Sequence, residues 1–305
     1  MQQGTILFFQ TLSAPQSREK VAGAFRYLES SGWDVRLIEQ NGTPAEIKKT
    51  LKKWNPLGCI IDRGLADGRN PVRLMRSIPT IYFDQNPDTA VSGCWYVRHD
   101  SQATTQMAFR ELLRNTPAHF AFVKTQKRSF WSEERETIFR KLVKRQKKKL
   151  TVLSPDLELA DNLAGLPKPC GLLAVNDTIA RKVVDAARQA NIALPTDLQV
   201  VGINNDEFIC GHTNPTLTSV HPDFEGGGYL AMAMLHRIIR GTSAKPRAIL
   251  FGPKELIRRA STRIFRKSDA RVTRALDFIS AHFANTDLKT ETIATAMGCS
   301  RSLAD

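Results

Sequence analysis

No stretch of this 305-residue chain approaches the roughly 18 consecutive apolar residues that a membrane-crossing helix needs. A secretory leader is not expected either: no Lys or Arg precedes the run Ile6 to Phe9, and that run is far shorter than the roughly 7–15 apolar residues of such a leader. Cysteine is scarce. The five, Cys59, Cys94, Cys170, Cys210 and Cys299, are odd in number and share no CxxC spacing, which argues against a disulfide framework or a zinc ribbon. Reduced, buried thiols in a cytoplasmic protein are expected. Enzymatic signatures are also wanting: there is no GxSxG elbow, Walker A loop, GxGxxG or HExxH. The six histidines show no metal-ligand spacing. No enzyme, no cofactor and no metal are therefore expected.

Acidic residues are in deficit. Lys and Arg number 44 against 30 Asp and Glu, a formal net charge of +14. Such an excess favours a polyanionic partner but says nothing about fold. Composition is otherwise that of a globular protein, 42% hydrophobic and 24% charged, which excludes wholesale disorder.

Short apolar or β-branched runs alternate with segments of helical period. Strands are expected at Thr5–Phe9, Trp33–Ile38, Leu57–Ile61, Thr80–Phe83, Phe120–Val123, Leu150–Leu153, Gly171–Val175 and Gln199–Ile203. Helices are expected over 16–30, from Thr43-Pro44, from Ser101, and over Ser132–Arg145, Thr178–Ala190 and Tyr229–Ile239, with Gly226-Gly227-Gly228 as a flexible lead-in to the last. Strand–helix alternation predicts α/β architecture with parallel sheets, and two successive runs of it predict two doubly wound, Rossmann-like lobes. After about Pro253 strand signals stop. Lys254 to Arg274 carries eight basic residues in 21, and the remainder reads as a short all-α stub, with a boundary near 262–269.

In parallel α/β sheets ligands bind beyond the carboxyl ends of the strands. Asn176 and Asp177 follow one strand there: they either cap the next helix or point polar atoms into the crevice. Asn204, in the run Asn204-Asn205-Asp206-Glu207, occupies the equivalent place after the next strand, either as an Asx-rich turn or as a hydrogen-bonding wall. Polar strand ends without a nucleophile or metal suit a neutral polyol or sugar. Trp131 and Arg135 open the helix after Phe120–Val123. A cleft-facing Arg offers a fixed fork of donors beside a ring that can stack on a sugar face; the alternative is a buried Trp and an Arg paired on the surface with Glu134 or Glu136. In K-T-E-T-I-A-T-A-M-G-C-S-R, Lys289–Arg301, Gly298 stops one helix and Ser300 caps another. That is the helix-turn-helix spacing, although any αα-hairpin shares it.

The stretch G-L-L-A-V-N-D-T-I-A followed by I-A-L-P-T-D-L-Q-V-V-G-I-N-N-D, within Gly171–Asp206, resembles the sensor domain of LacI/GalR-type regulators. So does P-T-L-T-S-V at Pro215–Val220. The resemblance spans roughly residues 4–260 and implies the type I periplasmic-binding-protein fold. W-S-E-E-R-E-T-I-F-R at Trp131–Arg140 narrows it to the XylR type, in which such a sensor precedes an AraC-type helix-turn-helix domain. R-R-A-S-T at Arg258–Thr262, A-L-D-F-I-S-A-H-F and E-T-I-A-T-A-M-G-C-S-R-S-L are similar to that junction and domain. The resemblance implies a sensor at 1–262, with one lobe at about 1–113 and 220–242 and the other at about 116–219 and 243–260. It implies a linker and an incomplete AraC-type domain at 263–305. It also implies a small sugar effector, most simply a pentose such as xylose, operator DNA as a partner, a homodimer, and control of a sugar-utilisation operon. Arg135, Asn176, Asp177 and Asn204 fall on effector-contacting positions, Asn204 standing where the family usually has Asp. Gln10, Ser17 and Arg18, after the first strand, are further cleft candidates, and Ser300, Arg301 and Ser302 open the DNA-reading helix. The rivals are a solute-binding protein without DNA-binding activity and an enzyme on a doubly wound fold.

The charge excess sits mostly elsewhere. Residues 124–149 carry a net +8 and residues 254–305 only +4, so the basic excess is a solvated helix face rather than the reader. With the first reading helix only begun at Asp305, and one helical turn marginal in water, residues 1–305 are expected to bind DNA weakly, with strong salt dependence and no sequence preference. A footprint on a defined sequence would contradict this.

Overall fold

The computed structural model describes residues 4–10, 12–28, 32–39, 43–62, 77–84, 94–242, 248–264, 270–282, 285 and 288–299. The chain forms two units, Met1–Arg263 and Ile264–Asp305. The first unit holds two lobes. The first lobe opens with β1 (Thr5–Phe9), α1 (Pro15–Leu28), β2 (Asp34–Ile38), α2 (Pro44–Trp54), β3 (Gly58–Asp62), β4 (Thr80–Phe83) and β5 (Trp95–His99). Helix α2 starts at a capping box: Thr43 Oγ1 accepts from Glu46 N–H while the Glu46 carboxylate accepts from Thr43 N–H, satisfying two otherwise orphaned donors. The second lobe follows with α3 (Ser101–Leu113), β6 (His119–Val123), α4 (Phe130–Arg145), β7 (Leu150–Leu153), α5 (Leu159–Ala164), β8 (Cys170–Ala174), α6 (Asp177–Gln189), β9 (Leu198–Ile203), α7 (Glu207–His212) and β10 (Thr218–Pro222). Then come α8 (Phe224–Ile239), β11 (Ala248–Phe251) and β12 (Pro253–Ile257).

Each lobe is a six-stranded sheet, ordered β11-β5-β4-β3-β1-β2 and β12-β10-β9-β8-β6-β7. All pairs are parallel except β10 with β12. The central strands β1, β3, β6, β8 and β9 are almost wholly buried, as strands covered by helices on both faces must be. In the second lobe Phe139 of α4 is fully buried, with ring centroids 5.6–6.0 Å from those of Phe109, Phe120 and Phe122. That packing fixes α4 on the sheet and so aims its first turns.

Strand order corrects the expected lobe boundaries. Helix α3 packs on the second lobe, not the first. Strand β10 lies wholly in the second sheet, and β11, expected in the second lobe, extends the first sheet by pairing with β5. The chain thus crosses between lobes three times, at Asp100, Asp223 and Gly252. Two backbone bonds lash the crossings together: Asp100 N–H donates to Phe251 O (2.8 Å) and Asp223 N–H to Gly252 O (2.9 Å). Elements β5, α5, α7, β10 and β12 were not foreseen, and the helix expected from Ser101 is capped by Asp100, which accepts from Ala103 N–H.

The Gly226-Gly227-Gly228 run is not a flexible lead-in. It lies inside α8, where α1 crosses at backbone distance: a Cβ on Gly228 would sit 1.9 Å from Lys20 O, and one on Gly23 1.8 Å from Glu225 O. Only glycine permits that approach.

In the second unit, α9 (Ala270–His282) and α10 (Thr290–Met297) pair through buried Ala275 and Ala294. Gly298 ends α10 at φ 69°, the left-handed C-cap glycine favours, and Arg274 donates to Met297 O (3.0 Å). Ser300, Arg301 and Ser302 lie outside the described residues.

Because the α1–α8 contact has no room for a side chain, Gly228→Val should lower the unfolding free energy by about 1–3 kcal/mol. Gly211→Ala, where an added Cβ meets nothing within 4 Å, should be neutral or slightly stabilising. Urea unfolding of both variants checks the contrast.

Candidate functional site

The carboxyl ends of both sheets face one cleft, which holds a cavity of about 190 Å³. This is below the roughly 300–1,000 Å³ of drug-sized pockets and suits a small effector. From the first lobe it is lined by Gln16 and Lys20 of α1, Asp84 just past β4, Arg98 and His99 at the end of β5, and Phe224 at the start of α8. From the second lobe come Ser101, Phe130, Trp131, Glu134 and Arg135, with Asn176 after β8 and Asn204 after β9.

Lys20 is 3% exposed, its Nζ 2.9 Å from both Asp62 Oδ2 and Asp84 Oδ2, and 4.8 Å from the Phe83 ring centre. Burial works against its charge, but the two carboxylates outweigh burial and hold its pKa above the ordinary lysine value. Burial likewise pushes the Asp84 carboxyl up, and Lys20 and His99 reverse this to a net lowering. The other oxygen of Asp84 accepts from His99 N–H (2.8 Å).

His99 then joins the lobes. Arg135 Nη2 lies 3.2 Å from His99 Nδ1, and His99 Nε2 lies 2.6 Å from Thr104 Oγ1. A guanidinium can only donate, so Nδ1 accepts and the proton sits on Nε2, which donates to Thr104. Burial first, and the Arg135 charge second, press the imidazole down to about 3, so it is neutral near pH 7. Arg135 is 4% exposed. Its Nη1 donates to Val175 O (2.6 Å) and its guanidinium lies 5.3 Å from the Trp131 ring centre. Burial lowers its pKa to about 10, which still leaves it charged. Its Nε has no partner among the described residues. Two further pairs bridge the lobes: Arg98–Glu134 (3.3 Å) and His221–Glu19 (2.8 Å).

Of the residues singled out in the sequence, Trp131, Arg135, Asn176 and Asn204 reach the cavity wall. Asn176 does both things expected of it: its Oδ1 caps α6 by accepting from Ile179 N–H (2.9 Å), while its amide nitrogen has no partner among the described residues. Asn204 sits at φ 114°. Asp177 stands behind the wall and borders a neighbouring cavity. It is 2% exposed and accepts from Ser219 Oγ (2.6 Å) and Asp206 N–H (2.7 Å). Burial pushes its carboxyl up to about 7 against the pull of those bonds. A Cβ on Gly202 would lie 2.2 Å from Asp177 Oδ1, so Asp177 braces the Asn204–Asp206 loop rather than lining the main cavity.

Gln10, Ser17 and Arg18 are not on this wall. Gln10 is buried and donates to Ser17 O (3.0 Å), closing the β1–α1 loop on itself. Ser17 faces the core, and exposed Arg18 donates to Leu12 O and Ser13 O. The reason is helical period: once Gln16 faces the cavity, its partner one turn on is Lys20. Lys20, Asp62, Asp84 and His99 escaped notice in the sequence, though all but Lys20 stand at strand ends and obey the rule that located Asn176 and Asn204. Among the described residues no group of three His, Cys, Asp or Glu could hold a metal ion.

A histidine held neutral by the fold stabilises it fully above its unfolded pKa, and loses that stabilisation as pH falls towards its folded value. From about pH 6.5 down to about 3 the unfolded chain binds more protons at His99, so stability drops by up to about 1.4 kcal/mol per pH unit from this group. His99→Gln should show a shallower loss between pH 6 and 4 than the parent chain in denaturant melts at each pH.

Residues 109–262 match the model of the periplasmic binding protein-like domain. The Xylose operon regulatory protein of Escherichia coli is 30% identical over 328 residues, covering 98% of this chain and 79% of the relative. Its namesake from Haemophilus influenzae is 26% identical, covering 86% and 71%. The solved structure of the xylose-binding transcription activator XylR superposes with a TM-score of 0.75 at 26% identity, over 99% of this chain and 80% of that one. Those relatives are regulators rather than enzymes, and the cleft described above occupies the sensor fold they share. The chain belongs to the XylR-type family of sugar-sensing transcriptional regulators, built on a periplasmic binding protein-like domain.

Proposed function

We propose that this chain senses a small neutral sugar, a pentose such as D-xylose, in the cleft between its lobes, and that the sensor governs DNA binding by a cytoplasmic, dimeric regulator of a sugar-utilisation operon. The observation that carries this reading is the balance of charge at the cavity. Lys20 is matched by Asp62 and Asp84, Arg98 by Glu134, and the remaining negative charge by Arg135. With no cation left over among the described residues, the cavity favours a neutral hydroxyl-rich molecule over a sugar phosphate. Trp131 offers a ring face, and Asn176, Asn204 and Arg135 offer donors, the arrangement of few convergent polar groups that fixes a small ligand's orientation. The relatives named for the xylose operon favour a pentose. Among the described residues no helix is long and apolar enough to cross a membrane.

The mechanism follows from the three crossings. Effector touches both lobes, so it binds better where they are closed and shifts the population towards that state.

Titration calorimetry with D-xylose, L-arabinose, D-ribose, D-glucose and D-galactose should give heat with a pentose, and no heat with any of the five would overturn the reading. Arg135→Ala should weaken that binding about 10- to 100-fold, or about 1.5–3 kcal/mol for a hydrogen bond from a charged donor. Unchanged affinity would confine Arg135 to bridging His99 and Val175.

A further inference from the structure

We propose that Arg259 is the positioning residue that ties the cavity wall to the strap, residues 258–263, by which the first unit runs on into the second. What enters the cavity is taken from the sugar-sensor reading; the link itself does not depend on it. Arg259 spans two parts of the second lobe. Its Nη2 donates to Asn205 Oδ1 and its Nη1 to Leu217 O, both at 2.9 Å. Its own N–H donates to Thr218 Oγ1 (2.8 Å).

At one end of this lever is the effector wall. Asn205 follows Asn204, which lines the cavity, and both have positive φ, 51° and 114°. Two successive residues in sparsely populated backbone regions stay there only when their surroundings over-determine them. Arg259 is one of those determinants. Further ones are Val220 O, which accepts from Asn204 N–H (2.9 Å), Ser219 Oγ, which accepts from Asn205 N–H (3.1 Å), and Asp177, which accepts from Asp206 N–H.

At the other end is the strap. Ser261 N–H donates to Thr216 O (2.9 Å) and Ser261 O accepts from Val200 N–H (3.1 Å). Ser261 Oγ accepts from Thr218 N–H (2.8 Å) and donates to Val200 O (2.7 Å). The strap is therefore held to β9 at Val200, ahead of the point where β10 begins to pair with it at Val201, and to the start of β10 at Thr218. Arg258 anchors the same strap through a fork to Glu111, both bonds at 2.6 Å, but it touches nothing at the cavity. Among the described residues only Arg259 reaches both. Its planar fork holds a side-chain amide and a backbone carbonyl at once, which a lysine ammonium on a flexible stem does not reproduce.

The consequence is reciprocal. An effector that grips Asn204 restrains the strap, and a disturbance of the strap loosens the Asn204–Asp206 loop.

Hydrogen exchange on the full chain tests this. Without sugar, Arg259→Lys should speed exchange about three- to tenfold, as expected for the loss of one net hydrogen bond, both at the amides of 204–206 and at Ser261. Arg258→Ala should speed it at the strap and leave 204–206 at the parent value. Asn205→Ala should reproduce the strap effect, and combining it with Arg259→Lys should add nothing further. With saturating D-xylose the parent chain should slow at both places, whereas Arg259→Lys should slow at 204–206 alone while keeping its calorimetric affinity within about threefold. If Arg259→Lys leaves 204–206 unchanged, if the two substitutions add, or if the strap of Arg259→Lys still responds to sugar, the link is overturned. If no sugar gives heat, the sugar reading falls, and the comparison in the sugar-free chain still decides the link.

Discussion

An ammonium group taken out of water must be matched or the fold loses several kcal/mol, and Lys20 meets that demand at a single point. Asp62 and Asp84 stand at the ends of neighbouring strands β3 and β4, so α1 has to lie where its second turn reaches both. Reaching that place brings α1 against α8 at backbone distance, which only Gly23 and Gly228 allow. The spare oxygen of Asp84 then fixes the His99 backbone, and the neutral ring of His99 takes a hydrogen bond from Arg135 across the cleft. One buried charge thus sets a helix crossing, two strand ends and the meeting of the lobes.

The second lobe answers with an organiser of opposite sign. Asp177 is buried, half-inclined to protonate near pH 7, and held by Ser219 and the Asp206 amide. It shapes the loop that carries Asn204, as Lys20 shapes the floor beneath Asp84. The cavity between them presents amides, a guanidinium and an indole with formal charges balanced. Such a site discriminates by hydrogen-bond pattern and shape.

Much of the architecture was legible. Strands such as Phe120–Val123 are continuous apolar runs because both faces are covered, and amphipathic α6 announces itself by period. The elements that escaped have weak local signals. In β5, W-Y-V-R-H, Arg98 and His99 are there for the cleft, and function masks the strand. In β12, P-K-E-L-I, the strand lies at a sheet edge where charged side chains meet solvent. The same limit applied to the site. Reading Gln10, Ser17 and Arg18 as cleft residues used the right loop but not the helical phase, and three glycines in a row looked like slack because the neighbour that needs the third of them, α1, lies some 200 residues earlier.

By itself the sequence determined the two-lobed α/β class, the strand ends where polar residues would gather, and the Trp131–Arg135 and Asn176–Asn204 parts of the wall, because period and strand-end position are local properties of the chain. Tertiary structure alone decided that Lys20, Asp62, Asp84 and His99 form one network, that Asp177 is a brace, that β11 returns to the first sheet, and that Arg259 joins Asn205 to the strap. Lys20 and Asp62 lie 42 residues apart, Lys20 and Asp84 64, and Arg259 and Asn205 54. Burial, which makes an unmatched charge so costly, arises only when the lobes have closed around them.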